Sequence, residues 1–127
     1  MPWIQFAAVG IGAACGAWLR WGLALLLNPI FPTVPLGTLT ANLAGGFIIG
    51  VLMGLAEPIH LSLTLRLLLV TGFLGGLTTF STFSAETMNL VLRGQYAWGC
   101  VVIATHLVGS LALTGAGALL ARAAIAR

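Results

Sequence analysis

Charge is what this chain has very little of. Five arginines and two glutamates are its whole formal charge in 127 residues, 6% of the sequence, against 60% hydrophobic residues and a mean hydropathy of +1.12. So little polar composition cannot cover a water-exposed surface, which excludes a soluble globular protein and makes the chain an integral membrane protein. No polar stretch is large enough for an aqueous domain beside the apolar runs. The expectation is therefore a single domain, residues 1–127, whose chemistry takes place in or across the bilayer. Cysteine is scarcer still, with two residues. Cys15 and Cys100 both fall inside apolar runs, without a CxxC pair or a Cys/His grouping, which argues against metal or redox roles and predicts small buried core residues. The start, Met1-Pro2-Trp3-Ile4, lacks the basic n-region of a signal peptide, and the run it opens is long enough to span, so it is read as structure. No nucleotide-binding motif and no catalytic constellation is present.

What the chain does have is four apolar stretches of spanning length. A spanning helix needs about 20 predominantly apolar residues, and the stretches run approximately from Ile4 to Leu27, Gly37 to Leu55, Ser62 to Leu92 and Ala97 to Ala121. The connections carry stop signals. Asn28-Pro29, with Pro32 and Pro35, ends the first helix, since proline offers no donor and restricts the residue before it. Glu57-Pro58-Ile59-His60 separates the second from the third, and Arg93-Gly94-Gln95 is a tight turn before the interfacial aromatics Tyr96 and Trp98.

Arginine counting gives almost no orientation bias. Arg66, Arg122 and Arg127 fall toward one face, and Arg93 and Arg20 toward the other. Such a chain can insert both ways up, in which case two opposite copies would pair about an axis in the membrane plane; many transporters reach that arrangement through an internal repeat, which is missing here. The other reading is a short chain with few arginines and one orientation. Gly46, Gly50 and Gly54 at four-residue spacing, and Gly12 and Gly16 in the first span, mark packed helix interfaces, with Asn42 one turn before Gly46 on the same stripe.

The third span is the anomaly. It is about 30 residues long against the ~20 required, and its middle reads Gly75-Gly76-Leu77-Thr78-Thr79-Phe80-Ser81-Thr82-Phe83-Ser84, two glycines and five hydroxyls inside lipid. The length fits a helix broken near Gly75–Thr78, where freed carbonyls would line a cavity and suit a hard cation. The alternative is an unbroken helix whose glycines permit close packing and whose threonines bond back to the preceding turn. Beyond this step Phe80 and Phe83 share one face, and Ser81 and Ser84 share the next. A phenyl ring is positive at its edge, so two edges facing a narrow path make a weak, dehydrating contact for an anion; a pair of core rings is the competing reading. On the fourth span His106, Ser110 and Thr114 form one polar stripe, either neutral donors along a path or helix glue. Glu86 lies about 15 Å along the helix from the break, near an interface or beside the path. Arg20 either snorkels to the headgroups or lines a vestibule that attracts anions.

These residues resemble a family. Gly75-Gly76-Leu77-Thr78-Thr79-Phe80-Ser81-Thr82-Phe83-Ser84-Ala85-Glu86, together with Gly37-Thr38-Leu39-Thr40-Ala41-Asn42, Gly16-Ala17-Trp18-Leu19-Arg20-Trp21 and Gly109-Ser110, is similar to the small fluoride channels of bacteria known as Fluc or CrcB, in order and over nearly the whole chain. The resemblance implies an all-α membrane protein of four transmembrane helices, the third broken at mid-membrane, assembled as an antiparallel dual-topology homodimer in the bacterial inner membrane. Two fluoride pores would each be built from both subunits. It implies Phe80 and Phe83 as the paired pore rings, Asn42 as a pore donor, Ser110 and Thr114 as a hydroxyl track, Ser81 and Thr82 within the neutral wall, Glu86 beside the pore and Arg20 in the vestibule. The carbonyls of Gly75 and Thr78 would hold a structural sodium ion at the dimer centre. His106 receives no role.

Three other readings use the same residues. A small dual-topology multidrug or cation exporter needs an acidic residue at mid-membrane in its first span, and this one has none. A non-transporting assembly subunit would use the hydroxyls and phenylalanines as glue. An intramembrane hydrolase would pair Ser110 with His106, one turn apart, but lacks a third group to orient them and clear oxyanion donors.

Overall fold

The computed structural model describes residues 1–56 and 59–127; Glu57 and Pro58, placed by the sequence in the second connection, lie outside the described residues. Helix α1 (Pro2–Leu27) runs into a short 3-10 turn (Asn28–Ile30), and α2 (Leu36–Leu55) follows. The third span, Leu63–Leu92, is made of pieces: α3 (Leu63–Arg66), a wide-turned π-helical stretch (Leu67–Leu74), α4 (Gly75–Leu77) and, after two extended residues, α5 (Phe80–Leu92). The last span is α6 (Tyr96–Ile125). Among the described residues four spans are long and apolar enough to cross a membrane, and the chain is a multi-pass membrane protein.

The connections behave as their residues require. Asn28 accepts a hydrogen bond from the Gly37 amide at 2.8 Å, so the polar cap that stops α1 also fixes the start of α2. At the other tight turn Gln95 N–H bonds Leu90 O and Gly94 N–H bonds Val91 O, a Schellman closure of α5. Gly94 takes φ +73° there, a value that favours glycine.

Packing runs along the glycine stripes. Gly12 and Gly16 of α1 lie on the backbone of Leu68, Phe73 and Leu77, so α1 and the first half of the third span run in the same direction. Gly46, Gly50 and Gly54 meet Ser110, Thr114 and Ala118 in the same rising order, so α2 and α6 are also parallel. A side chain at Gly50 would enter the Thr114 carbonyl, and one at Gly16 the Phe73 carbonyl; neither obstacle is a movable side-chain end. Among the described residues two small clusters of buried apolar residues stand out, Ala41, Leu74 and Leu77 before the break and Val34, Leu90 and Val102 beyond it, with Ala8 and Ala121 buried apart from them.

Three sequence expectations change here. The break falls at Thr78–Thr79, at the far end of the expected Gly75–Thr78 step and past its glycines, and a π-helical stretch precedes it. Gly75 keeps helical torsions (φ −62°, ψ −38°), and Gly76 is needed for packing, since a Cβ there would strike the Ala13 backbone. Cys15 and Cys100 are exposed on the chain's surface, not buried; in a membrane protein a small apolar residue suits the outer face as well as the core. Arg20 is not a free surface charge, because its Nε donates to Gly76 O at 3.1 Å beside the break.

Candidate functional site

The break is built by side chains. Thr78 sends both its amide and its Oγ1 hydrogen to Leu74 O, at 3.0 and 2.8 Å, and this doubled bond closes the preceding helix. Thr78 (φ −84°, ψ 155°) and Thr79 (φ −150°, ψ 120°) are then extended. Thr79 caps α5: its Oγ1 accepts from Thr82 N–H at 3.1 Å and donates to Thr82 Oγ1 at 3.1 Å.

Asn42 of α2 grips the extended segment. Its Oδ1 accepts from Thr79 N–H at 2.7 Å and its Nδ2 donates to Thr79 O at 2.9 Å, so one side-chain amide satisfies a whole residue's backbone. Because Thr79 N–H can only donate, the orientation of the Asn42 amide is fixed by chemistry. The second Nδ2 hydrogen faces His106 Nδ1 at 3.0 Å. Where the sequence suggested a free pore donor, both amide hydrogens of Asn42 are engaged; an ion reaches one only by displacing Thr79 or His106.

Phe83 lies between two rings. Its centroid is 5.4 Å from that of Phe80 at 63°, an edge-on contact, and 4.7 Å from that of His106 at 34°. These rings, with Asn42, Thr79 and Ser110, wall a cavity of ≈ 510 Å³ that Gly75 and Thr78 also reach. No arginine or glutamate lines it among the described residues. Phe80 is 80% exposed in the single chain, so one side of the wall stands open.

The remaining sequence-selected residues lie outside this wall. Thr114 Oγ1 shares its hydrogen between Gly46 O (2.9 Å) and Ser110 O (2.8 Å), and so joins α2 to α6 instead of facing the cavity. Ser81 is exposed, with Oγ 3.4 Å from Thr79 Oγ1, while Thr82 is the capping partner of Thr79. Glu86 Oε1 accepts from Thr38 Oγ1 at 2.6 Å, one turn along α2 from Asn42, and its Oε2 is buried without a partner among the described residues. Arg20 bonds Gly76 O, on the N-terminal side of the break. His106 Nδ1 is taken by Asn42, and no hydrogen bond joins Ser110 to His106 among the described residues.

The break therefore presents opposite polarity on its two sides. Above Thr79, the first amides of α5 point away from their own helix; below it stand the last carbonyls of α4. Gly76 O is satisfied by Arg20, whereas no hydrogen bond reaches the Gly75 or Thr78 oxygen among the described residues. Thr79, quoted only as part of the broken stretch, and His106, named on the polar stripe of the fourth span, are the two site residues to which the sequence assigned no role. The spacing Thr79–Thr82 was a legible capping signal; the contact of His106 with Asn42 was not, since 64 residues separate them.

Residues 7–118 match the family described as "CrcB-like protein, Camphor Resistance (CrcB)". The protein named fluoride-specific ion channel FluC from Nitrosospira multiformis is 60% identical over 111 residues, covering 84% of this chain and 84% of that protein. The protein of the same name from Ralstonia nicotianae is 58% identical over 119 residues, covering 92% and 94%. With a family match across most of its length and relatives this similar, the chain belongs to the CrcB family.

Proposed function

We propose that the chain is a fluoride-selective passive channel of the bacterial inner membrane, not an enzyme. The observation that carries this is the edge-on pair Phe80 and Phe83 opening on a cavity with no arginine or glutamate in its described wall. The names of the relatives support the ion's identity. Neutral hydrogen fluoride crosses membranes, so a cell in acid surroundings traps fluoride as the anion, and a passive path lets the membrane potential drive it out. Fluoride holds its water tightly. The path must replace that shell with ring edges and neutral donors such as Ser110 in a space too narrow for chloride. A ring of charges would hold the ion too strongly for release.

The open side of the wall, at Phe80, supports a second copy completing it, in an antiparallel homodimer with two pores. The Gly75 and Thr78 oxygens, hard neutral ligands without hydrogen-bond partners among the described residues, fit a sodium ion at the dimer centre, which would neutralise the carbonyl ends and tie two copies together. Arg20 already holds Gly76 O, so that oxygen is not counted as a ligand.

In liposomes, purified protein is expected to pass fluoride and not chloride, read by ion-selective electrodes. Comparable chloride efflux, or no efflux of either ion, overturns the reading. Replacing sodium with a large organic cation during purification is expected to weaken the dimer or lower flux. Indifference in both measurements removes the sodium site.

A further inference from the structure

His106 is the most buried polar group in the cavity wall, only 5% exposed, yet half of its hydrogen-bonding capacity is unused. Asn42 decides which half. Its amide is oriented by Thr79 N–H, so Nδ2 presents a hydrogen to His106 Nδ1, and Nδ1 must offer a lone pair. The neutral ring then carries its proton on Nε2. That N–H is buried and has no partner among the described residues.

Leaving a buried donor unmade is costly, and native structures rarely do so without a reason. A purely packing role does not supply one. A phenyl ring would keep the stack on Phe83 but would leave the second Asn42 Nδ2 hydrogen unpaired, so Nδ1 is needed as an acceptor, and that need does not account for the N–H on Nε2. We propose that His106 is a donor to the permeating anion, its Nε2–H tautomer selected by Asn42 and reserved for fluoride as the ion passes the phenylalanine pair. The proposal rests on the channel reading above and adds a residue to it.

The chemistry suits the task. A neutral imidazole N–H is a stronger donor than a ring edge, and it carries no charge that would trap the ion. Nε2 has no accessible surface at rest, so the ion meets it only when a wall side chain shifts; Phe83, tilted on the His106 ring at 4.7 Å, is the side chain in contact. Fluoride would then exchange one water for Nε2–H while Ser110, one turn along α6, offers a hydroxyl.

Nitrogen-15 NMR of histidine-labelled protein in lipid tests this directly, with two variants in the flux assay. The expected result is a bare Nδ1 and a protonated Nε2, with fluoride but not equal chloride shifting Nε2. His106→Gln keeps a donor at the Nε2 position and is expected to hold flux to within about threefold, whereas His106→Asn keeps only the Nδ1-side acceptor and should lose about tenfold, the effect of one hydrogen bond to an ion. In protein that passes fluoride, an Nδ1–H tautomer, an Nε2 resonance blind to fluoride, or the reverse ranking of the variants overturns the donor role. Wild-type protein that passes no fluoride instead sinks the channel reading, and this inference with it.

Discussion

Phe83→Ile is expected to lower fluoride flux by about a hundredfold or more, equivalent to about 2.7 kcal/mol of barrier, with Phe80→Ile close behind. Isoleucine keeps much of the apolar bulk and suits a lipid-facing helix, so both variants should insert and assemble as the wild type does. What it removes is the ring quadrupole, and with it the positive edge offered to a partly dehydrated anion. Phe83 is the more sensitive position because it makes two ring contacts, to Phe80 and to His106, and its loss frees both. Phe80 is open on one side in the single chain, and its contribution depends on what the second copy places there. Size-exclusion or crosslinking measurements beside the efflux assay separate a dead pore from a lost dimer. Wild-type flux in both variants would return the rings to ordinary packing.

How legible this was in the sequence follows from which interactions are local. Four spans, the glycine stripes, the Gly94 turn and the long third span are all set by composition and spacing within one helix, and the structure places them where the residues say. The facing of each span was harder to read. Hydropathy does not separate a core-facing residue from a lipid-facing one when both environments are apolar, so Cys15 and Cys100 were misplaced inward. The break was legible as an event and not as a position. Glycine pairs look like helix breakers, but Gly76 is spent on approaching Ala13, and the interruption comes where Asn42, 37 residues away, supplies the hydrogen bonds that the helix would have made. Thr114 shows the same limit. Its place on a polar stripe was plain, but its hydrogen goes to carbonyls of Gly46 and Ser110, a choice made by how closely α2 approaches α6. Residues acting along one helix could be paired by counting; residues acting between helices could not.

Asn42→Ala should be the most damaging polar substitution for structure and function together. The side-chain amide makes three hydrogen bonds, to Thr79 N–H, Thr79 O and His106 Nδ1. Alanine leaves the Thr79 N–H and carbonyl unpaired where water cannot freely replace the amide, at about 1–3 kcal/mol for each group. The segment has two ways to recover. It can rewind, giving Thr79 N–H back to the Gly75 carbonyl, which straightens the third span and takes away an oxygen proposed for sodium. Otherwise it stays extended and unsatisfied. Either way Phe80 and Phe83 lose their fixed relation to α6, so flux should fall below detection and unfolding in detergent should come earlier by about 3 kcal/mol. Asn42→Asp separates the bonds. A carboxylate still accepts from Thr79 N–H but opposes the lone pairs of Thr79 O and draws the His106 proton to Nδ1, so it should preserve the break less well than asparagine and conduct no better than alanine. If Asn42→Ala unfolds within about 0.5 kcal/mol of wild type, the usual range for substitutions that touch nothing important, and keeps its flux, the break does not depend on the clamp, and the glycines recover the role that the sequence first suggested for them.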